Sequence, residues 1–128
     1  MTFWLVGCKG LLAKAFQKVL QEASLSYRVS SREECDITNP EEIERFASGQ
    51  GIKYCINCSA YTAVDLAETH PEEALALNKQ GVLHLGSFAG KEGIKMVHFS
   101  TDYVFNGTKK RPYTEEDLAD PLSVYGKS

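Results

Sequence analysis

The side chains best equipped for chemistry lie close together in Lys95-Met96-Val97-His98-Phe99-Ser100-Thr101-Asp102-Tyr103-Val104-Phe105-Asn106-Gly107. The apolar run from Ile94 to Ser100, preceded by Gly93, predicts a buried strand. Ser100, Thr101, Asp102 and Tyr103 break that run, and Asn106-Gly107 marks a turn. Open α/β sheets place ligands just past the carboxyl ends of their strands. Hydroxyls, a carboxylate and a phenol at such a point could hold and protonate a polar substrate. The same residue types also end strands for purely local hydrogen-bonding reasons. Which reading holds depends on the elements that position them.

A second candidate opens the chain. Phe3-Trp4-Leu5-Val6 reads as a buried strand, followed by Gly7-Cys8-Lys9-Gly10-Leu11-Leu12-Ala13 and a helix carrying Leu12, Phe16, Val19 and Leu20 on one face. Gly7 permits a tight turn, and Gly10 lets backbone approach a pyrophosphate at the helix N-terminus, where free N–H groups and the dipole favour an anion. Ala13 is small enough for the helix to pack closely on its strand. G-x-x-G-x-x-A is looser than the dinucleotide fingerprint, and a plain strand–helix turn could carry it too. After a second strand at Ser26–Val29 come Ser30, Ser31 and Arg32, backed by Glu33 and Glu34. An arginine at this point accommodates the 2′-phosphate of NADP, where a carboxylate would select NAD. Arg28 could share that role.

The intervening elements follow in order. Asn39 and Pro40 form an N-cap and first helical position for a helix running to about Ser48. Ile52 to Cys58 is a third strand, and Asn57-Cys58-Ser59-Ala60-Tyr61-Thr62 puts small residues at its carboxyl end. Pro71 starts a helix extending to Gly90, with a stripe of Ala74, Leu77, Val82, Leu85 and Phe88. Asn78 falls within or beside that stripe, where a buried amide must find partners; it is expected to hold a neighbouring loop. His84 and His98 read as structural. The order β-α-β-α-β-α-β predicts an α/β fold, a three-layer Rossmann-type parallel sheet with helices on both faces and about four strands present.

Composition narrows the function classes. The chain has 128 residues, is 43% hydrophobic and carries a formal charge of -3. That suits one globular domain and offers no electrostatic case for nucleic acid beyond the short run Lys109-Lys110-Arg111. No apolar stretch reaches a membrane span, and Phe3 to Val6 is too short for a signal peptide, so a cytoplasmic location is expected. Cys55 and Cys58 form a C-x-x-C, but within a strand an odd offset sends them to opposite faces. The three histidines lack ligand spacing relative to them. Four thiols in a reducing compartment are expected, with no metal site.

Three stretches carry a resemblance: Ile56-Asn57-Cys58-Ser59-Ala60-Tyr61-Thr62-Ala63-Val64-Asp65, Phe99 to Gly107, and Pro121-Leu122-Ser123-Val124-Tyr125-Gly126-Lys127-Ser128. With the glycine turn, they resemble the N-terminal, cofactor-binding part of the dTDP-4-dehydrorhamnose reductase family of extended short-chain dehydrogenases/reductases. The resemblance implies NADPH (NADH being the alternative) and reduction of the C4 keto group of dTDP-4-dehydro-L-rhamnose. It implies that Thr101 hydrogen-bonds the keto oxygen, Tyr125 protonates it, and Asp102 and Tyr103 shape the sugar site. Gly7, Gly10, Leu11, Leu12, Arg32, Asp36, Ile37, Ser59, Ala60 and Tyr61 would line the cofactor. A nucleotide-sugar substrate is implied as partner, with a homodimer an option for the full-length protein.

One departure stands out. The family pairs its tyrosine with a lysine four residues on, whereas Lys127 lies two residues on and is expected to point away. The expectation is therefore a truncated NAD(P)-binding domain over residues 1–128, lacking the C-terminal substrate domain, presenting its fourth strand as an unpaired edge and inactive by itself. Two alternatives stay open. One is a non-catalytic NADP-binding module like the regulatory subunit of methionine adenosyltransferase, and the other is a reductase of a different nucleotide sugar.

Overall fold

The computed structural model describes residues 1–128. Four strands, β1 (Thr2–Val6), β2 (Ser26–Ser30), β3 (Ile52–Asn57) and β4 (Lys95–His98), form one all-parallel sheet in the order β2-β1-β3-β4. The chain leaves β1 for β2 on one side, then crosses to β3 on the other. The switch point between β1 and β3 is where such sheets open a crevice at their carboxyl ends.

Alternation along β1 sorts the core into two layers. Trp4 and Val6 face a cluster with α2 (Pro40–Ala47), the later helix and Met96, whereas Leu5 faces Leu20 and Phe16 of α1 (Leu11–Glu22). Helices thus cover both faces, as expected. Trp4 is fully buried and its indole N–H donates to Ser30 Oγ at 2.9 Å, so its polar edge is satisfied. In β3, Ile52 and Cys55 belong to the same cluster despite their odd separation. A register shift between Thr2 and Phe3 inserts Lys53 as an extra residue and restores the phase.

α2 begins as its sequence predicts: Asn39 Oδ1 accepts from the Glu41 N–H at 3.0 Å, with Pro40 at the first helical position. Other expectations need correction. A short helix, α3 (Val64–Thr69), precedes His70, where the sequence pattern predicts no element. The helix beginning at Pro71 is not uniform: α4 (Pro71–Ala74) passes into a π-helical segment (Leu75–Gly81) and then α5 (Val82–Glu92). On α1, Ala13 and Leu20 are buried and Phe16 partly so, but Leu12 and Val19 are exposed. The packed line follows 13, 16, 17 and 20, one step round from the predicted face.

β4 is not the buried strand its apolar run predicts. It ends at His98, pairs only with β3, and leaves Val97 and Phe99 more than 40% exposed. As the sheet edge it lacks a neighbour on one side, and Phe16 of α1 lies just past its end, its ring 6.0 Å from that of Phe99. The unpaired edge was expected; the exposure of the strand's side chains was not. No helix is long and apolar enough to cross a membrane.

Candidate functional site: two cavities at the carboxyl ends of the strands

The first cavity, of about 270 Å³, opens at the switch point. The turn after β1 forms one wall. Gly7 has φ +78°, and a Cβ there would meet Ser59 Cα at 2.9 Å. Both the left-handed backbone and the close approach of the β3 loop demand glycine. The Gly7 and Cys8 N–H groups donate to Ser30 O at 2.9 and 3.0 Å, while Cys58 N–H donates to Val6 O at 3.0 Å, so β1 ends between both neighbours. Gly10 caps α1 with extended backbone and no side-chain partner, leaving first-turn N–H groups free. Ala13 is fully buried beneath that turn.

The loop after β2 forms the other wall. Lys9 reaches across to Glu33 at 2.8 Å, and Arg32 Nε pairs with Asp36 Oδ2 at 3.1 Å. The Lys9 ammonium, with help from Ser31, draws Glu33 down to about 2. Burial pushes Asp36 upward, but hydrogen bonds from the Thr38 N–H, the Thr38 hydroxyl and Arg32 outweigh it, and the carboxyl ends below its ordinary value. Of the residues assigned to a cofactor, Gly7, Gly10, Arg32, Asp36, Ile37, Ser59 and Ala60 line this cavity. Tyr61 lines a neighbouring cavity that shares Arg32 and Leu77. Leu11 and Leu12 do neither and are solvent-exposed, Leu11 to 89%. Arg28 is engaged elsewhere: its guanidinium lies over the Phe46 ring and donates to Gln50 Oε1 at 2.9 Å, and it does not line the cavity. Lys9 and Glu33 line the cavity without having been singled out; only their position flanking the glycine turn and Arg32 could have flagged them.

The second cavity, of about 260 Å³, gathers Thr101 and Tyr125 with Ala60, Asn78, His98, Ser100, Lys127 and Ser128. Thr101 Oγ1 caps a 3₁₀ turn (Asp102–Val104) by accepting from the Tyr103 N–H at 3.2 Å, and donates to Asp102 Oδ1 at 3.2 Å. Tyr103 and Asp102 are exposed and lie outside the cavity, but the Tyr103 ring meets Tyr125 edge-on at 5.4 Å. Tyr125 sits on α6 (Val124–Lys127), capped by Ser123 Oγ, which accepts from the Gly126 N–H at 3.0 Å. A Cβ at Gly126 would collide with the Tyr103 carbonyl oxygen, so glycine lets α6 lie against the 3₁₀ turn. Lys127 contributes to the same cavity as Tyr125, with no hydrogen bond joining their side chains.

Asn78 joins the two regions. Its Oδ1 accepts from the Tyr61 N–H at 2.8 Å, and its Nδ2 donates to Tyr61 O at 3.0 Å and Ser128 Oγ at 2.9 Å. The expected loop-holding role is what the hydrogen bonds show. His84 is structural as expected: its Nδ1 donates to Ile37 O at 3.2 Å, leaving Nε2 to accept from Gln80 at 3.1 Å. Cys55 and Cys58 pack into opposite core layers, and all four thiols are free. Burial pushes the Cys55 thiol up to about 12 and raises Cys58, which suits buried thiols rather than a reactive pair.

Comparison with known proteins agrees with this geometry. The family profile described as the RmlD substrate binding domain matches residues 1–128. The dTDP-4-dehydrorhamnose reductase of Salmonella typhimurium is 37% identical over 131 residues, spanning 100% of this chain and 44% of that protein. Among solved structures, the dTDP-4-dehydrorhamnose reductase of Clostridium acetobutylicum is 35% identical and superposes with a TM-score of 0.96 over 99% of this chain and 45% of its own. That of Bacillus anthracis, in complex with NADP, is 29% identical with a TM-score of 0.94 over 98% of this chain and 45% of its own. The chain spans under half the length of these relatives. The chain is a homologue of the dTDP-4-dehydrorhamnose reductases and belongs to the family of the RmlD substrate binding domain.

Proposed function

We propose that this chain is the cofactor-binding part of an NADPH-dependent reductase acting on the C4 keto group of dTDP-4-dehydro-L-rhamnose. The observation that carries this reading is the pairing of the two cavities, which share Ala60 as a common wall. One offers uncapped helix N–H groups and two cations, Lys9 and Arg32; the other offers a hydroxyl and a phenol. The first suits a dinucleotide: free N–H groups at α1 favour a pyrophosphate, and Arg32 faces the cavity where a 2′-phosphate would replace Asp36 as its partner. NADPH bound there supplies a hydride.

The protein's own part is positioning and proton supply. Thr101 Oγ1, held in place by the Tyr103 N–H it accepts from, hydrogen-bonds the keto oxygen when its proton turns from Asp102 Oδ1 to the substrate. Tyr125 donates its phenolic proton to that oxygen as negative charge develops on it, a general-acid contribution of about 10²–10⁴-fold in comparable enzymes. Donors aimed at the developing charge stabilise the alkoxide. Asp102 and Tyr103, outside the cavity, shape the approach to it. The sugar nucleotide would require a further substrate domain.

The test is cofactor titration of the 128-residue chain, followed by intrinsic fluorescence of Trp4. NADP⁺ is expected to bind more tightly than NAD⁺, and Arg32→Ala to remove about tenfold or more of that preference, the worth of one charge-assisted hydrogen bond. Equal affinities in the unaltered chain would remove the NADP assignment.

A further inference from the structure

His98 was expected to be an ordinary structural histidine, yet it ends β4 inside the cavity that holds Thr101 and Tyr125. Its surroundings dictate its chemistry. Asn57, at the end of β3 and 1% exposed, accepts at Oδ1 from the Ser59 N–H at 3.0 Å and the Ser59 hydroxyl at 2.6 Å. A backbone N–H can only donate, so the amide cannot be turned round. Nδ2 therefore faces His98 Nδ1 at 3.2 Å and donates to it. An imidazole nitrogen that accepts carries no proton. The other nitrogen, Nε2, must then carry it, and Nε2 makes no hydrogen bond within the protein. Ser59 is the residue packed on Gly7, so one polar chain runs from the glycine turn through Asn57 to His98.

We propose that Asn57 fixes His98 as the neutral Nε2–H tautomer, leaving that N–H to donate to an uncharged oxygen of the ligand held between Thr101 and Tyr125. His98 is thus a ligand-binding residue and Asn57 its positioning residue. The inference rests on the reductase reading only for the identity of the oxygen, which belongs either to the cofactor's carboxamide or to the sugar. His98 keeps an exposed side, and the partial burial of its ring lowers the imidazole's affinity for a proton, which agrees with a neutral ring.

The experiment is ¹⁵N–¹H spectroscopy of the imidazoles in the 128-residue chain at neutral pH. His98 is expected as the Nε2–H tautomer, with His84 as the opposite, Nδ1–H form serving as internal reference. In Asn57→Asp the oxygen facing Nδ1 becomes an acceptor, so the proton is expected to move to Nδ1 and the His98 pKa to rise. An Nδ1–H or charged His98 in the unaltered protein overturns the proposal whether or not the variant folds, as does a folded N57D with an unchanged tautomer. Adding NADP⁺ to this chain, and dTDP-L-rhamnose to a form that also carries the substrate domain, then identifies the oxygen. A shift of the Nε2–H signal with the first assigns the carboxamide, and with the second alone the sugar. No shift with either overturns the donor role. The Gly10 amide, read in the same titration, reports independently on the cofactor reading, since its failure to move counts against NADP binding and leaves the tautomer result standing.

Discussion

Gly7 shows how one residue serves both fold and site. Its φ of +78° is left-handed, and its missing Cβ leaves room for Ser59. Alanine there meets two penalties, a strained backbone and a contact of 2.9 Å with backbone atoms that cannot rotate away. Gly7→Ala is expected to cost about 1–3 kcal/mol, read as a lowered urea midpoint. It should also weaken NADP⁺ binding, because relief of the clash moves the Ser59–Ala60 wall of the cavity. Gly10→Ala is the control: its Cβ would meet only Gly7 O at 3.5 Å, an ordinary contact, and its backbone is extended. A Gly7→Ala variant as stable as Gly10→Ala would mean that Ser59 yields, and that the requirement at position 7 is not steric. Arg28 and Arg32 make a second contrast at this scale. Both sit near the end of β2 in sequence, but only Arg32 faces the crevice; Arg28 is drawn to the Phe46 ring on the α2 side.

Among the elements, the π-helical segment Leu75–Gly81 is the one that joins the two cavities. Such segments inside α-helices occur often at functional sites, and this one carries Asn78. The amide engages three hydrogen-bonding groups at once: the backbone N–H and C=O of Tyr61 and the Ser128 hydroxyl, which itself donates to Tyr125 O at 2.7 Å. Asn78→Ala is expected to destabilise the chain by about 1–3 kcal/mol through the partners it leaves unpaired, and to speed hydrogen exchange at the Tyr61 amide. Asn78→Asp keeps the acceptor for Tyr61 N–H but sets a carboxylate against Tyr61 O, so it should be at least as damaging. If N78D matched the unaltered chain in both measurements, the donor half of the clasp would be dispensable. The strands, the Asn39 cap and the Asn78 role were all legible in the sequence, because each follows from local pattern or from the need of a buried amide for partners. The π segment, α3 and the exposure of Val97 and Phe99 were not. Whether a strand's apolar side chains are buried depends on what lies across them, and no local pattern around β4 encodes that. His98 escaped for the same reason, since its partner Asn57 lies 41 residues away in sequence and one strand away in space.

At the scale of the whole molecule, these separate groups converge in the response to acid. The carboxyls of Glu33, Glu34, Asp36 and Asp117 all lie below their ordinary values. Glu33 is held by Lys9, Glu34 by the Ser31 N–H, and Asp36 by Thr38 and Arg32 against the effect of burial. Asp117 accepts from Lys109, the Thr114 N–H and Arg111, the knot that organises the loop after β4. His98 is also lowered, by burial, from an ordinary value of 6.5. In every case the unfolded chain binds the proton first as pH falls, so acid favours unfolding. Two separate stages result. Between 6.5 and the lowered His98 value, the unfolded imidazole is charged while the folded one is not, and stability declines; below that value the decline stops. A second decline begins near the ordinary carboxyl values of 3.8 to 4.5 and continues down through the folded ones. Urea midpoints measured across this range are expected to show both stages, and His98→Gln to abolish only the first. Added salt should flatten the second, because the Lys9–Glu33 pair is solvent-exposed and screened, while leaving the first unchanged, since it arises from burial without a charged partner. A single transition unaffected by His98→Gln would show that His98 takes up its proton as readily in the folded chain as in the unfolded one, so that neither burial nor the Asn57 contact favours the neutral ring.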